Sequence, residues 1–231
     1  MSGKASSVGV RLGTLVSVRT GRVREHERPA WDQRRAKTFE TAYWKEERQG
    51  PVRIGTLGLE GDEQADRRGH GGPEMAVLMY AARHYADWRR LPGLEGMGPG
   101  GFAENLTLDG ADETRVCVGD VLDVGGARLQ IASPRGPCAN ISRRWDAEWL
   151  LKRARETRHT GWYLRVLKEG VVASGDEVRL IERPHDGWTI DRLLRLRFAV
   201  PGDAEGRREA SGLEALAPEW RERYAKLAGG G

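Results

Sequence analysis

Residues 115–132 read as two apolar arms, 115–124 and 127–132, with Gly125-Gly126 between them. The second arm alternates, with Leu129 and Ile131 set against Arg128 and Gln130. A period of two places successive side chains on opposite faces, which only a strand can do. A Gly-Gly pair supplies the positive φ that a tight hairpin turn requires. The same grammar recurs along the chain, where many of the 31 glycines fall between short apolar runs. Residues 12–18, 41–44, 52–54, 77–80 and 170–181 are further strand candidates, the last a pair. Many short strands split by glycine and proline predict a mainly β (α+β) fold, a barrel or sandwich rather than a helical bundle.

Helical signals lie between and after these strands. Residues 83–90 carry His84 and Trp88 four apart, and 143–156 read as one helix. Around residues 183–187 the composition shifts, and 189–198, 204–216 and 218–227 are predicted helices. Thr189 and Asp191 are candidate caps for the first of these, and Pro218 suits the first turn of the last. The expected division is a β domain over residues 1–184 and a small three-helix domain over 185–231. Residues 22–37 show no periodicity and read as a polar connection.

Composition removes several function classes. The net charge of +4 is spread along the chain without a long basic block or an aromatic ladder. It therefore reads as a solvated surface, not as a nucleic-acid interface. Two cysteines, Cys117 and Cys138, are too few for a disulfide scaffold, and their spacing is not that of structural zinc or a dithiol centre. No run has transmembrane length, and residues 1–10 lack a signal-peptide core. The expectation is a soluble, reduced, cytoplasmic protein with no membrane partner.

Cys138 has the most informative setting. Pro134-Arg-Gly-Pro-Cys138 limits backbone freedom just before the thiol, and Arg135 adds a positive charge that favours thiolate. A presented thiolate is a soft metal ligand or a nucleophile, although a lone cysteine is more often a small buried hydrophobe. Cys117, flanked by Val116 and Val118, reads as such a buried residue inside a strand. His70 sits in Gly69-His-Gly-Gly72, where free N–H groups could bind an anion and the imidazole could donate a proton. Residues 61–66 carry three carboxylates without calcium-loop spacing and read as a surface turn. Glu104 and Asn105 precede an apolar step, and either could hydrogen-bond a heterocycle or cap a turn.

Taken in order, Leu57-Gly-Leu-Glu-Gly-Asp-Glu-Gln-Ala-Asp66, Gly69-His-Gly-Gly-Pro73, Gly101-Phe-Ala-Glu-Asn-Leu106, Val118-Gly-Asp120 and Pro134-Arg-Gly-Pro-Cys138 resemble the MOSC domain in its YiiM-like branch. The resemblance runs from about Leu12 to Ile181, and the terminal helices resemble the three-helix domain that follows MOSC in that branch. It implies a MOSC-type β-barrel with peripheral helices, and a single cysteine, mapping onto Cys138, that ligates a molybdenum cofactor or carries sulfur for it. His70, Gly71, Gly72, Glu104, Asn105 and Arg135 map onto the other pocket positions, with His70 and Cys138 as the catalytic pair. Thr41 and Lys45 match an N-terminal motif in which Glu40 stands where the family usually has a basic residue. The family also carries an association with pyridoxal phosphate binding. The activity implied is molybdenum-dependent reduction of N-hydroxylated compounds such as N-hydroxylated purine bases. No flavin, haem or iron–sulfur motif is present, so electrons would come from a separate donor protein. The terminal helices would contact that donor or form a homodimer interface. Competing readings keep the fold but make it a cofactor carrier, a sulfur-transfer module with a Cys138 persulfide, or a non-catalytic interaction protein.

Overall fold

The computed structural model describes residues 9–66, 71–198 and 202–229. The chain opens with the long strand β1 (Val10–Thr20), followed by a separate hairpin of β2 (Arg24–Glu27) and β3 (Thr38–Thr41). Short strands β4 (Glu46–Glu47), β5 (Val52–Gly55) and β6 (Gly58–Leu59) lead to β7 (Val77–Ala81), helix α1 (His84–Trp88) and β8 (Leu106–Gly110). Next come β9 (Val121–Val124), β10 (Ala127–Pro134), α2 (Asn140–Arg144) and α3 (Leu150–Thr157). The rest is β11 (Trp162–Lys168), β12 (Gly170–Val172), β13 (Glu177–Glu182), α4 (Ile190–Phe198), α5 (Ala204–Ser211) and α6 (Pro218–Gly229).

Seven strands close a barrel in the order β13-β9-β10-β11-β7-β8-β1, with β1 pairing back to β13. All neighbours are antiparallel except β7 and β8, which run parallel. Closure requires strands to approach closely at the corners, and Gly13 sits opposite Gly110 at one of them. A Cβ on Gly13 would stand 2.2 Å from the Asp109 carbonyl oxygen, so no larger residue fits there. The β9–β10 hairpin turns at Gly125 with φ 54°, as its Gly-Gly pair predicts.

Leu15, Met79, Leu122, Leu129 and Leu164 of the barrel strands share one apolar cluster, which Ile54 of β5 joins. The same apolar cluster continues without a break into Leu193, Leu194, Leu213, Leu216, Trp220 and Tyr224 of the C-terminal segment. A second cluster, around Tyr80, Tyr85, Trp88, Leu94 and Phe102, packs α1 against α2 and α3. Among the described residues no helix is long and apolar enough to cross a membrane.

Several expected elements move. Residues 115–120 form a turn, not a strand arm, and Cys117 makes only an isolated bridge to Thr189, although it is buried as expected. The strand expected at 41–44 lies at Thr38–Thr41 and pairs with β2, which lies in the stretch read as a polar connection without periodicity. The helix expected over 143–156 is two helices, broken where Asp146 adopts φ 47°. Helix α5 stops at Ser211, before Gly212, short of the predicted 216. Thr189 does cap α4, its Oγ1 accepting from the Arg192 N–H at 3.1 Å.

Candidate functional site

Strand β10 ends at Pro134, and the chain then runs through Arg135-Gly-Pro-Cys138 into α2. This delivers Cys138 to a cavity of about 450 Å³ beside one end of the barrel. Cys138 is half-buried, and neither cysteine is in a disulfide. The β3 arm supplies Phe39, Glu40 and Thr41 to one wall, and residues 62–66 supply another. Asn105, Arg135 and Tyr163 lie on the barrel side.

Arg135 is buried, at 3% exposure. Its main-chain N–H donates to the Gly161 carbonyl at 3.0 Å, and its Nη2 donates to the Tyr43 hydroxyl at 3.1 Å. Its guanidinium lies over the Tyr43 and Phe102 rings, 5.7 and 5.8 Å from their centroids. Among the described residues its Nη1 has no hydrogen-bond partner. Cys138 is within its electrostatic reach. Burial pushes the Tyr43 hydroxyl up to about 12, so the phenol stays protonated at neutral pH. Tyr163, also beside Arg135, is raised in the same direction by burial.

Lys45 and Asp62 form an ion pair with side chains 8% and 3% exposed. Burial lowers the Lys45 ammonium from its ordinary range, and the Asp62 charge only partly offsets this. Asp62 also accepts from the Gly21 N–H at 2.7 Å and from Asn105 Nδ2 at 2.9 Å. Asn105 Oδ1 in turn accepts from the Leu78 N–H at 3.1 Å, fixing its amide orientation. Thr41 Oγ1 accepts from the Tyr43 N–H at 3.1 Å and from Asn140 Nδ2 at 3.3 Å.

Of the residues singled out in the sequence, Thr41, Lys45, Asn105, Arg135 and Cys138 converge on this one cavity. His70 lies outside the described residues. Gly71 and Gly72 are not among the residues lining the cavity. Glu104 does not line it either: it is fully buried beneath Gly100–Phe102, and Tyr85, Thr107 and the N–H groups of Gly100 and Phe102 occupy its oxygens. These four donors fit the turn-capping alternative for Glu104. Asp62, read as part of a surface turn, is instead the carboxylate that binds Lys45, Asn105 and Gly21 together. Glu40, at the position where a basic residue was expected, faces the cavity from an exposed site. Tyr43, Tyr163, Asn140 and Arg143 also line it and carried no sequence signal. Among the described residues no group of three or more His, Cys, Asp or Glu is arranged to hold a metal ion.

Residues 66–179 match the family model of the MOSC domain. The Escherichia coli protein YiiM is 31% identical over 173 residues, 74% of this chain and 77% of that protein. The chain belongs to the MOSC family. The crystal structure of YiiM from Geobacillus stearothermophilus has the same fold, with a TM-score of 0.76 at 26% identity over 93% of this chain and 98% of that one. A protein of the fungus Gibberella moniliformis named "Reductase" is 35% identical over 191 residues, covering 80% of this chain. This MOSC protein spans only 33% of that relative's length.

Proposed function

We propose that this MOSC protein is a molybdenum-cofactor-dependent reductase of N-hydroxylated compounds, such as N-hydroxylated purine bases, with Cys138 as the protein ligand to the metal. The observation that carries the reading is the meeting, on one cavity, of a thiol and a buried guanidinium with an unused N–H. A buried donor left unpaired costs about 1–3 kcal/mol, so a ligand presenting anionic oxygen to Arg135 would recover that cost. Thiolate is a soft ligand suited to molybdenum in a sulfur-rich sphere. MOSC domains are associated with molybdenum cofactor binding at the family level, and the name of the fungal relative supports reduction.

When bound, the cofactor would supply a centre able to pass two electrons to an N–O bond. The chain's own residues do the holding. Arg135 binds the anionic group, and Tyr43 accepts from its Nη2 and so aims the guanidinium. Asp62 ties Lys45 and Asn105 into a fixed polar wall. His70 is the candidate for proton delivery. Electrons would come from a separate donor protein.

The test is to purify the wild type and Cys138→Ala from cells with intact cofactor synthesis. Bound molybdenum and reduction of N-hydroxylaminopurine are then measured with a suitable donor. Metal and turnover in the wild type, both lost in the variant, are expected. Equal molybdenum in the two proteins would overturn the ligand assignment. Sulfane sulfur on Cys138 without metal would replace reduction with sulfur transfer.

A further inference from the structure

The β2–β3 hairpin forms a wall of the Cys138 cavity, yet among the described residues it is a separate two-stranded sheet without a backbone ladder to the barrel. An isolated two-stranded hairpin is marginal in water. Side-chain tethers must therefore decide where this wall stands.

The tethers converge on Asp32, in the turn of the hairpin. Its Oδ2 accepts from Arg28 Nη1 and from Arg143 Nε, each at 2.7 Å. Arg34, which reaches the cavity, approaches its Oδ1 at 3.5 Å. The side chains of Arg28, Asp32 and Arg143 are only 12%, 7% and 9% exposed. The two inner arginines each lie 5.1 Å from the centroid of the Phe39 ring, which itself lines the cavity. Arg143 belongs to α2, the helix that begins two residues after Cys138. It also donates to Asn140 Oδ1 at 2.5 Å, and Asn140 donates to Thr41 on β3. A second, exposed tether runs from Trp31 Nε1 to Asp146 Oδ1 at 3.0 Å. One buried carboxylate thus joins the hairpin wall to the helix that follows the thiol.

We propose that the β2–β3 hairpin is a lid over Cys138 and that Asp32 is its latch, a positioning residue that holds Phe39 and Arg34 at the cavity and governs access to the thiol. The latch follows from the cavity and its tethers, not from the reaction assigned above, and it stands or falls separately from that reaction. Replacing the carboxylate would leave Arg28 and Arg143 without their shared partner, and such pairs are costly to break from one side.

Burial opposes ionisation of Asp32, but the hydrogen bonds from Arg143 and Arg28 outweigh it and hold the carboxyl below the ordinary carboxylate range. The charged groups facing it are Arg28 and Arg34 from its own turn and Arg143 from α2, with Asp146 at the neighbouring Trp31 tether. A depressed folded value means the latch holds at neutral pH and is lost only as pH falls through that value.

The experiment labels the full-length protein with dipyridyl disulfide, which reacts with thiols in acid as well as at neutrality, and follows Cys138 by peptide mass spectrometry. At pH 7 Asp32→Asn should label about tenfold faster than wild type or more, the factor expected from losing a charge-assisted hydrogen bond that holds the lid shut. The variant-to-wild-type ratio should then shrink only as pH falls below the ordinary carboxylate range, because the wild-type latch protonates there. Cys117, buried in the turn before β9, should stay unlabelled in both proteins. Equal rates at pH 7, a ratio that does not change with pH, or a parallel rise at Cys117 would overturn the latch. If Asp32→Asn does not fold, Trp31→Phe removes only the exposed tether. It should raise the Cys138 rate by a smaller, pH-independent factor, and an unchanged rate would overturn the lid.

Discussion

Glu104 receives four donors and reaches no solvent. Its carboxylate therefore organises the 100–102 turn, which places Gly100 and Gly101 where Arg144 and the Trp145 indole can donate to their carbonyls. Glu104→Ala removes every acceptor at once and leaves a buried set of N–H and O–H groups unpaired. It should lower stability by at least about 3 kcal/mol, at the upper end for a single unsatisfied polar cluster. Urea unfolding followed by tryptophan fluorescence checks this, and a change under about 1 kcal/mol would mean that the turn re-satisfies its donors. At this scale the sequence was informative about residue type but not about direction. Cys138 and Arg135 were legible because prolines and glycine surround a soft nucleophile and a charge. Glu104 and Asp62 were not, because a carboxylate that binds a ligand and one that ties a turn look identical in one dimension. Only burial and the count of donors separate them.

The barrel elements were legible wherever one face of a strand is buried, as in β10, where Leu129 and Ile131 alternate with Arg128 and Gln130. Strand β2, Arg-Glu-His-Glu, has no fully buried position, so no apolar alternation announces it. The hairpin that walls the cavity was therefore invisible to periodicity, though its aromatic His26–Trp44 stack at 3.7 Å and its Asp32 tethers hold it in place. The break between α2 and α3 escaped for another reason: Asp146 carries no glycine signal for its left-handed backbone. Gly161, by contrast, is a position where geometry demands glycine. It enters β11 with φ 79°, and a Cβ there would stand 2.4 Å from the Met79 carbonyl oxygen. Its N–H donates to Glu113 Oε1 at 2.8 Å and its carbonyl accepts from the Arg135 N–H, so it joins two buried networks. Gly161→Ala should cost about 2 kcal/mol or more, from the left-handed backbone plus overlap with a rigid carbonyl. The expected readout is a lower urea midpoint with an unchanged slope. An unshifted midpoint would show that β11 can move away from β7.

Over the whole molecule, the composition shift near residue 185 suggests a boundary, but the physical joints there are dense. The Val118 N–H donates to the Trp188 carbonyl at 3.0 Å, and the Ile190 N–H donates to that of Val116 at 3.0 Å. The Asp191 N–H donates to the Glu113 carbonyl at 2.8 Å, and the Ala217 N–H to that of Ala132 at 2.9 Å. Arg165 of β11 donates to Gln130, to Glu74, and to the Ala215 carbonyl at 2.9 Å. Trp220 of α6 lies against Gly136, two residues before Cys138. Removing residues 185–231 would orphan these backbone groups and uncover the apolar surface that Leu193, Leu216 and Trp220 now share with the barrel. Each large side chain so buried contributes about 1.5–3 kcal/mol. Losing several of them exhausts the 5–15 kcal/mol, in rough terms, that separates a folded domain from its unfolded chain. The fragment 1–184 should therefore fail to unfold cooperatively and should aggregate or bind a hydrophobic dye, whereas the full chain unfolds in one transition. A fragment that instead unfolds at the same urea midpoint as the full chain would show that the barrel, and with it the Arg135–Cys138 segment, stands without its C-terminal helices. That outcome would return those helices to the role of a detachable appendage. The shared core and the four backbone hydrogen bonds argue that they are part of what holds the cysteine in place.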